Sequence, residues 1–254
     1  MQRQVDWAGG KPDEGRMHYE EGRVAMFNGQ VSRAEKSFRR RIEFAEQRGA
    51  KDAISLTDAE FAFWNSFFSN CKESMKSIGD ALSILRGEEA LNLSGIALAV
   101  CGETSQAQSI ADEIAKLKYR DVTSISFLPE MRAAIEISRN NPAKAVEILE
   151  STRILERGFG IPGRSTYLRG IAYLRQNAGT EAMNEFQKIL DRRGQFDTSP
   201  FFPLAHLGLA RAAAIAGDTT KSRQAYQDFF ALWKDADADI PILIEAKQEY
   251  EKLK

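Results

Sequence analysis

The chain has 254 residues, of which 43% are hydrophobic and 28% charged, a composition typical of soluble folded proteins. Its 35 basic and 36 acidic residues leave a formal net charge of -1. Binding to nucleic acid or to a membrane surface normally needs a basic excess, so this balance argues against both roles. With only 7 prolines and 18 glycines, long stretches can run as uninterrupted helix.

The two cysteines, Cys71 and Cys101, both fall inside helical patterns. We therefore expect no disulfide framework and a protein of the reducing cytosol. The N-terminal residues lack the apolar core of a signal peptide, and the most apolar run, 96–101, is too short to span a bilayer. These features predict a cytoplasmic location.

In chain order, the predicted elements are helical pairs that share one spacing. Gly22 is followed by the small residue Ala34 twelve positions later and by the aromatic Phe38 sixteen positions later. Stretches that begin at residues 170 and 210 repeat this spacing, and weaker copies begin at residues 62, 95 and 133. Successive starting positions are therefore 33 to 40 residues apart, and a period in this range is typical of a solenoid of helical repeats.

The spacing has a direct packing explanation. A small side chain on one helix lets its partner approach closely, and the aromatic residue fills the wedge beside that contact. Between the paired helices lie breaks rich in glycine, asparagine and proline, such as Gly29-Gln30 and Asn140-Asn141-Pro142. Within 181–190 the apolar residues recur at steps of three and four, and no stretch alternates with the period of two that strands require.

These residues resemble the tetratricopeptide repeat (TPR) pattern, which places Gly-x2-Tyr before Ala-x3-Phe. Gly170 with Tyr173 and Ala182 with Phe186 match it well, whereas the tryptophan of the pattern is absent from every copy. The resemblance implies an all-α superhelix of about six hairpins and a capping helix. We predict a single domain over 1–254, with approximate pairs 14–49, 54–86, 87–119, 125–157, 163–194 and 201–234, and a capping helix over 240–253.

A narrower resemblance covers most of the chain. The stretches 185–194, 225–236 and 239–243 are similar to the repeat regions that form the C-terminal half of acidobacterial-type serine/threonine protein kinases or winged-helix regulators. The chain has no His-Arg-Asp loop, Asp-Phe-Gly or other kinase signature. The resemblance therefore implies the docking or sensory part of a bacterial signalling protein rather than an enzyme.

In TPR proteins the first helix of each pair lines a concave groove that binds a protein or peptide. The resemblance implies that groove residues lie at fixed offsets from each leading small residue. The predicted groove residues are Arg16, Tyr19, Arg23, Phe27, Phe63, Phe67, Arg164, Tyr167, Arg175, Leu207 and Arg211. Aromatic and arginine side chains suit a peptide with apolar anchors and some acidic groups.

The Lys and Asn pair with which some TPR proteins clamp a terminal carboxylate is absent, because the corresponding positions hold Tyr19 and Arg23, or Asn92 and Ile96. The family's chaperone-tail clamp is therefore not expected in this chain.

Three motifs resemble catalytic or metal sites but have simpler interpretations. The stretch 158–165 has the outline of a phosphate-binding loop, yet a helical pattern precedes it where the motif needs a strand, so we interpret it as a linker. The run 235–239 begins like a calcium loop but has Ile240 and Ala246 where that loop needs Gly and Glu. His18 and His206 lack a second ligand at metal spacing. We predict no catalytic residue, no metal site and no cofactor.

An aromatic cluster, with five large rings within 61–68, covers nearly the whole circumference of one helix. Such a helix is either buried on most sides or offers part of its surface to a ligand. The favoured function is a protein-interaction scaffold, and the alternatives are a small-ligand sensor and a self-assembly module, with homo-oligomers possible. An enzyme would need a convergent group of polar side chains, which the sequence does not provide.

Overall fold

The computed structural model describes residues 2–116, 122–155, 163–196 and 198–253. Within these residues the chain is helical, with no strand. The helices are α1 (Gln2–Ala8), α2 (Glu14–Phe27), α3 (Val31–Glu46), α4 (Lys51–Phe67), α5 (Cys71–Ile84), α6 (Glu88–Val100), α7 (Thr104–Ala115), α8 (Val122–Ser138), α9 (Pro142–Glu150), α10 (Arg164–Arg175), α11 (Gly179–Leu190), α12 (Phe201–Ile215), α13 (Thr219–Leu232) and α14 (Pro241–Glu251).

The helices pair into six hairpins, from α2–α3 to α12–α13, and α14 follows as a capping helix. From the second hairpin onward, the first helix of each hairpin also packs against the first helix of the next one, as α4 does on α6 and α10 on α12. Such stacking supplies the core that a single hairpin lacks. The fold is an all-α, TPR-like solenoid, and the fold class predicted from the sequence is confirmed.

Each hairpin turns through the same backbone motif, seven residues after its leading small residue. The residue at that position has a positive φ in all six hairpins, which permits the left-handed conformation that ends a helix. The next residue then donates its backbone N–H to the carbonyl oxygen five residues earlier, as Gln30 does to Ala25 and Asp218 to Ala213. The six positive-φ residues are Gly29, Ser69, Gly102, Asn140, Asn177 and Gly217.

An aromatic ring seated on glycine joins consecutive helices. The fully buried ring of Phe186 on α11 lies between Gly170 of its own hairpin and Gly208 of the next one. A methyl group added to Gly170 or Gly208 would come within 2.6 or 2.5 Å of this ring, so neither position has room for a side chain. The Phe186 ring therefore determines how closely α10, α11 and α12 pack together.

The same kind of contact, a large side chain packed on a small residue, recurs with variations along the array. In the first hairpin, Phe38 of α3 covers Gly22 of α2, where an added methyl group would lie 2.3 Å from the ring. In the third, Gly95 is covered by Met131 of the following hairpin. Where the second small residue is serine, its hydroxyl donates to the carbonyl oxygen of the leading residue, at 2.9 Å from Ser222 to Ala210. The spacing thus has both a steric and a hydrogen-bonding basis.

The C-terminal segment, residues 233–243, returns to the first two hairpins. The Trp233 indole donates to the Phe27 carbonyl oxygen at 3.0 Å, and the Asp237 backbone N–H donates to the carbonyl oxygen of Gly29 at 3.0 Å. The Ile242 backbone N–H donates to the Phe68 carbonyl oxygen at 3.2 Å. Carbonyl groups at helix C-termini lack helical partners, so this segment satisfies acceptors that would otherwise need water. The C-terminal segment therefore joins the end of the helical array to its first two hairpins.

Cys71 and Cys101 form a disulfide, with their Cα atoms 5.5 Å apart. Cys71 begins α5 and Cys101 directly follows α6, so the bond joins the second and third hairpins. The expectation of no disulfide framework is therefore wrong for these two cysteines. It rested on the helical patterns around each cysteine, which do not show that the stacking of two hairpins brings these two helix ends together.

The contact between the C-terminal segment and Gly29 leads to a stability prediction. Gly29 and Gly217 occupy the same turn position, and alanine at either must adopt a positive φ, which costs about 1–2 kcal/mol. At Gly29 the added methyl group would also lie 2.7 Å from Ala236 and 2.9 Å from Trp233, whereas nothing lies near Gly217. We expect Gly29→Ala to lower the free energy of unfolding by about 3 kcal/mol and Gly217→Ala by about 1–2 kcal/mol.

Urea denaturation of the two variants and the parent protein measures the difference. Equal losses from Gly29→Ala and Gly217→Ala would mean that the C-terminal segment does not pack on the first turn in solution.

A second prediction concerns the disulfide. The bond closes a loop with a sequence separation of 30, for which chain entropy in the unfolded state corresponds to about 3–4 kcal/mol. Titration of the denatured, unreduced protein should find no free thiol. Reduction, or the Cys71→Ser/Cys101→Ser double substitution, should lower the free energy of unfolding by about 3 kcal/mol. Two titratable thiols per chain together with an unchanged urea midpoint would contradict this assignment.

Candidate functional site

The inner face of the array is filled by aromatic side chains from distant hairpins. Phe201, at the start of α12, lies with its ring centroid 4.9 Å from Trp64, 5.2 Å from Phe67 and 4.9 Å from Tyr167. Its ring also meets Phe63 edge-on at 6.1 Å. The aromatic cluster of α4 is thus structural core, which is the first of the two interpretations that the sequence allows.

The energetics keep this inner face closed. Fully burying a large apolar side chain stabilises a fold by about 1.5–3 kcal/mol. Exposing all five of these rings would therefore cost on the order of 10 kcal/mol, a value within the range of the whole net stability of a typical domain. A ligand that had to separate them would need very high affinity for the separated state.

The predicted groove residues accordingly fall into two groups. Six of them are buried in the core rather than exposed on a groove surface, because the opposing first helices and the start of α12 fill the concave side. These six are Phe27, Phe63, Phe67, Arg164, Tyr167 and Leu207. Tyr19, Arg23 and Arg211 are partly exposed, and Arg16 and Arg175 are exposed. A ligand-binding role for any of these residues stays a prediction.

Arg164 illustrates why arginine at a groove position does not imply a ligand. Its side chain is 1% exposed, and its Nε donates to Glu130, which also accepts from the Ser165 hydroxyl. The guanidinium lies 4.2 Å from the centroid of the Phe127 ring. Burial lowers the pKa of Arg164, and the negative charge of Glu130 opposes that shift. The charge is therefore neutralised within the chain.

The partly exposed groove positions also have internal partners. The Tyr19 hydroxyl donates to Glu60, and Arg23 Nε lies 3.5 Å from the same carboxylate. Burial and the charge of Glu60 raise the pKa of Tyr19, so this phenol stays protonated. Arg211 Nε donates to Glu249 of α14 at 2.9 Å. These pairs join neighbouring elements of the fold.

An open concavity with a partly apolar lining lies on the outside, between α13 and α14. We call it the C-terminal groove, and its volume of about 440 Å³ falls in the range of ligand sites. Its floor contains buried Trp233 and Leu243, while Phe230 and Tyr250 remain partly exposed. The lining residues are Phe230, Trp233, Lys234, Ala236, Ala238, Leu243, Lys247, Tyr250 and Glu251.

The sequence builds this groove by holding α14 at a distance from α13. Pro241 begins α14, and the preceding stretch 233–240 is fixed by its contacts with the first hairpin. Near the other end of α14, the Tyr250 ring meets the Phe230 ring edge-on, with the ring centroids 5.6 Å apart. The Tyr226 hydroxyl donates to Glu249 at 2.8 Å. Contacts at both ends leave the middle of the helix pair open.

Two further clefts are more polar. One of about 530 Å³ lies between the start of α2 and the end of α3, beside His18, and the other of about 230 Å³ lies where 237–241 meets the first two hairpins. His18 is 6% exposed, with its two ring nitrogens 3.8 and 3.9 Å from carboxylate oxygens of Glu14 and Glu21. Across the described part of the chain, no three His, Cys, Asp or Glu side chains form a group suited to a metal.

The motifs that resemble ligand loops have structural roles where they can be seen. In the run 235–239, Asp237 accepts the backbone N–H of Ser32 at 2.7 Å and so helps to close the array. Residues 158–162 of the phosphate-loop-like stretch lie outside the described residues, while Arg164 and Ser165 both bind Glu130. Among the described helices, none has both the length and the apolar character needed to cross a membrane.

Comparison with known proteins agrees with the repeat at one end of the chain. A family model described as tetratricopeptide repeat matches residues 167–236, which cover most of the fifth and sixth hairpins. No curated protein matches the chain. Among solved structures, the chain is similar to one titled "TPR2AB-domain:pHSP90-complex of yeast Sti1", with 13% identity, a TM-score of 0.42 and coverage of 95% of this chain and 98% of that one. A correspondence this loose identifies no ligand for this chain.

Proposed function

We propose that this chain is a non-catalytic scaffold that binds a peptide segment of another protein in the C-terminal groove. The observation that carries the proposal is an open concavity at the end of the array with partly exposed aromatic rings at its edge. The inner-face rings contact one another, whereas Phe230 and Tyr250 border an open concavity at the end of the array. Aromatic side chains around a desolvated pocket are the usual anchors of protein recognition.

The TPR match supports this class of function, since solenoids of this kind typically hold other proteins. The position expected for the ligand changes, however. The resemblance to TPR proteins implies a ligand on the concave face, and the proposal moves the ligand to the outer groove because the inner-face rings pack against one another.

The wider setting is also a proposal. We infer attachment to a bacterial signalling protein, of the serine/threonine kinase or winged-helix type, from the sequence resemblance alone. The cytoplasmic location stays a prediction. The Cys71–Cys101 disulfide weakens it, because such bonds persist mainly in oxidising compartments.

Peptide selection with a groove-filling variant tests the proposed function. A random peptide library displayed on phage is selected against the whole chain, and the selected peptides are measured by calorimetry. Ala238 is an exposed residue of the groove lining, so the indole of Ala238→Trp should fill the groove and weaken binding at least about tenfold. Ala231 is exposed on α13 outside the lining and provides the matched control, Ala231→Trp, which should bind as the parent does.

Two results would count against the proposed function. If no peptide is selected, the scaffold role loses its basis. If selected peptides bind the Ala238→Trp variant as tightly as the parent, peptides bind this chain at another surface and the C-terminal groove is not the site.

A further inference from the structure

The Cys71–Cys101 disulfide lies at the surface of the array, and one end of it borders open space. Both cysteines are partly exposed, and Gly102, which directly follows the second one, is exposed. A methyl group added to Gly102 would meet no atom within 4 Å, so protein atoms do not crowd this turn. Thiol–disulfide exchange needs a thiolate to reach one of the two sulfurs, and accessible disulfides are the labile ones. A small thiol therefore reaches this bond without unfolding of the chain.

The two turns that carry the cysteines are each fixed by backbone bonds of their own. In the turn after α4, the Asn70 backbone N–H donates to the Asn65 carbonyl oxygen at 2.9 Å. In the turn after α6, the Glu103 backbone N–H donates to the Leu98 carbonyl oxygen at 2.9 Å. Opening the disulfide leaves these bonds in place, so the two thiols stay close enough to form it again.

The two sulfurs differ in the polarity of the helix ends that carry them. Cys71 is the first residue of α5, a helix of 14 residues, and the backbone N–H groups at that end carry partial positive charge. Cys101 directly follows the last residue of α6, where the carbonyl groups carry partial negative charge. A thiolate is stabilised at a helix N-terminus, so negative charge on sulfur is favoured at Cys71 over Cys101.

The charged side chains nearby have the same polarity. Lys72 adjoins the first cysteine and is exposed, while the charge of Glu73 is offset by Lys76 at 3.4 Å. Glu103, two residues after the second cysteine, is exposed and pairs with no basic side chain in the described part of the chain. The first cysteine is therefore the better leaving group when the bond opens.

We propose that Cys71–Cys101 is a reversible redox site that exchanges with small thiols in the folded protein, with Cys101 as the sulfur attacked and Cys71 as the sulfur released. A glutathione thiolate forms a bond to Cys101 Sγ, the bond between the two cysteines breaks, and its electron pair leaves with Cys71 as a thiolate. A second glutathione thiolate then attacks the glutathione sulfur of this mixed disulfide and releases Cys101. The protein disulfide is reduced to a pair of thiols, and the glutathione is oxidised to glutathione disulfide, which reverses the sequence.

The inference is independent of the proposed peptide site, because it concerns the second and third hairpins rather than α13 and α14. Disulfides in reducing compartments are usually transient and redox-sensing, so a bond of this kind fits the cytoplasmic location expected from the sequence. A purely structural disulfide would stay closed as long as the protein is folded.

Trapping the mixed disulfide identifies the sulfur that is attacked. The folded protein is exposed briefly to reduced glutathione, a pulse of N-ethylmaleimide alkylates the released thiolate, and peptide mass spectrometry without reductant locates both groups. We expect glutathione on Cys101 and the alkyl group on Cys71, in at least about threefold excess over the reverse arrangement. The rate should be the same in buffer and in urea well below the unfolding midpoint, because the reaction does not need unfolding.

Charge reversal beside the first cysteine tests the electrostatic argument. The probe is 2-mercaptoethanol, whose reacting thiolate is its only charge. Lys72→Glu places a negative charge next to the released sulfur, so it should lower the excess toward equal amounts and slow the reaction by about twofold or more. Lys221→Glu changes the net charge equally at an exposed position of α13 and should react as the parent does. Circular dichroism and the urea midpoint of the oxidised proteins show that each variant is folded.

Three results would overturn the proposal. A bond that opens only in urea concentrations that unfold the chain would make this disulfide purely structural. Glutathione found mainly on Cys71, or equally on both cysteines, would contradict the assigned roles. Protein that is reduced while folded but does not form the bond again in glutathione disulfide would show that the reaction is not reversible.

Discussion

The seating of large side chains on glycine is the interaction on which the rest of the structure depends. Phe186 contacts Gly170 and Gly208, on two successive first helices, and Phe38 covers Gly22 in the same way. A side chain at any of these glycines would meet the ring, so glycine is what lets the ring and the helix that carries it pack directly on the neighbouring helix. Repeated along the chain, this contact brings the first helices together on the concave side.

The closed inner face follows from that approach and decides where recognition is possible. Rings from α4, α10 and α12 meet around Phe201, and the C-terminal segment then satisfies carbonyl groups at the ends of α2 and α4. What an open solenoid offers to a ligand is used here as hydrophobic core. Partly exposed aromatic rings border the gap between α13 and α14, so the proposed ligand site lies at the end of the array rather than on its concave side.

Local features were predictable from the sequence, and contacts between distant hairpins were not. The positive-φ residues appear as Gly, Asn or Ser at matched spacing, so the hairpins and their turns can be read from the residues alone. The bond from Trp233 to Phe27 joins residues 206 apart, and no periodicity specifies it. The Cys71–Cys101 bond and the Arg164–Glu130 pair likewise depend on how hairpins stack. Six of the predicted groove residues are buried, and their burial depends on contacts between distant hairpins that no local pattern specifies.

A double-mutant cycle on Gly208 and Phe186 tests most directly the claim that helix packing depends on large side chains packed on glycine. Gly208→Ala should lower the free energy of unfolding of the parent by about 1–3 kcal/mol, because the new methyl group would meet the Phe186 ring. In a Phe186→Ala background the same substitution should instead raise it by up to about 1 kcal/mol, since alanine favours helix over glycine. A Gly208→Ala effect of the same sign and size in both backgrounds would contradict the account.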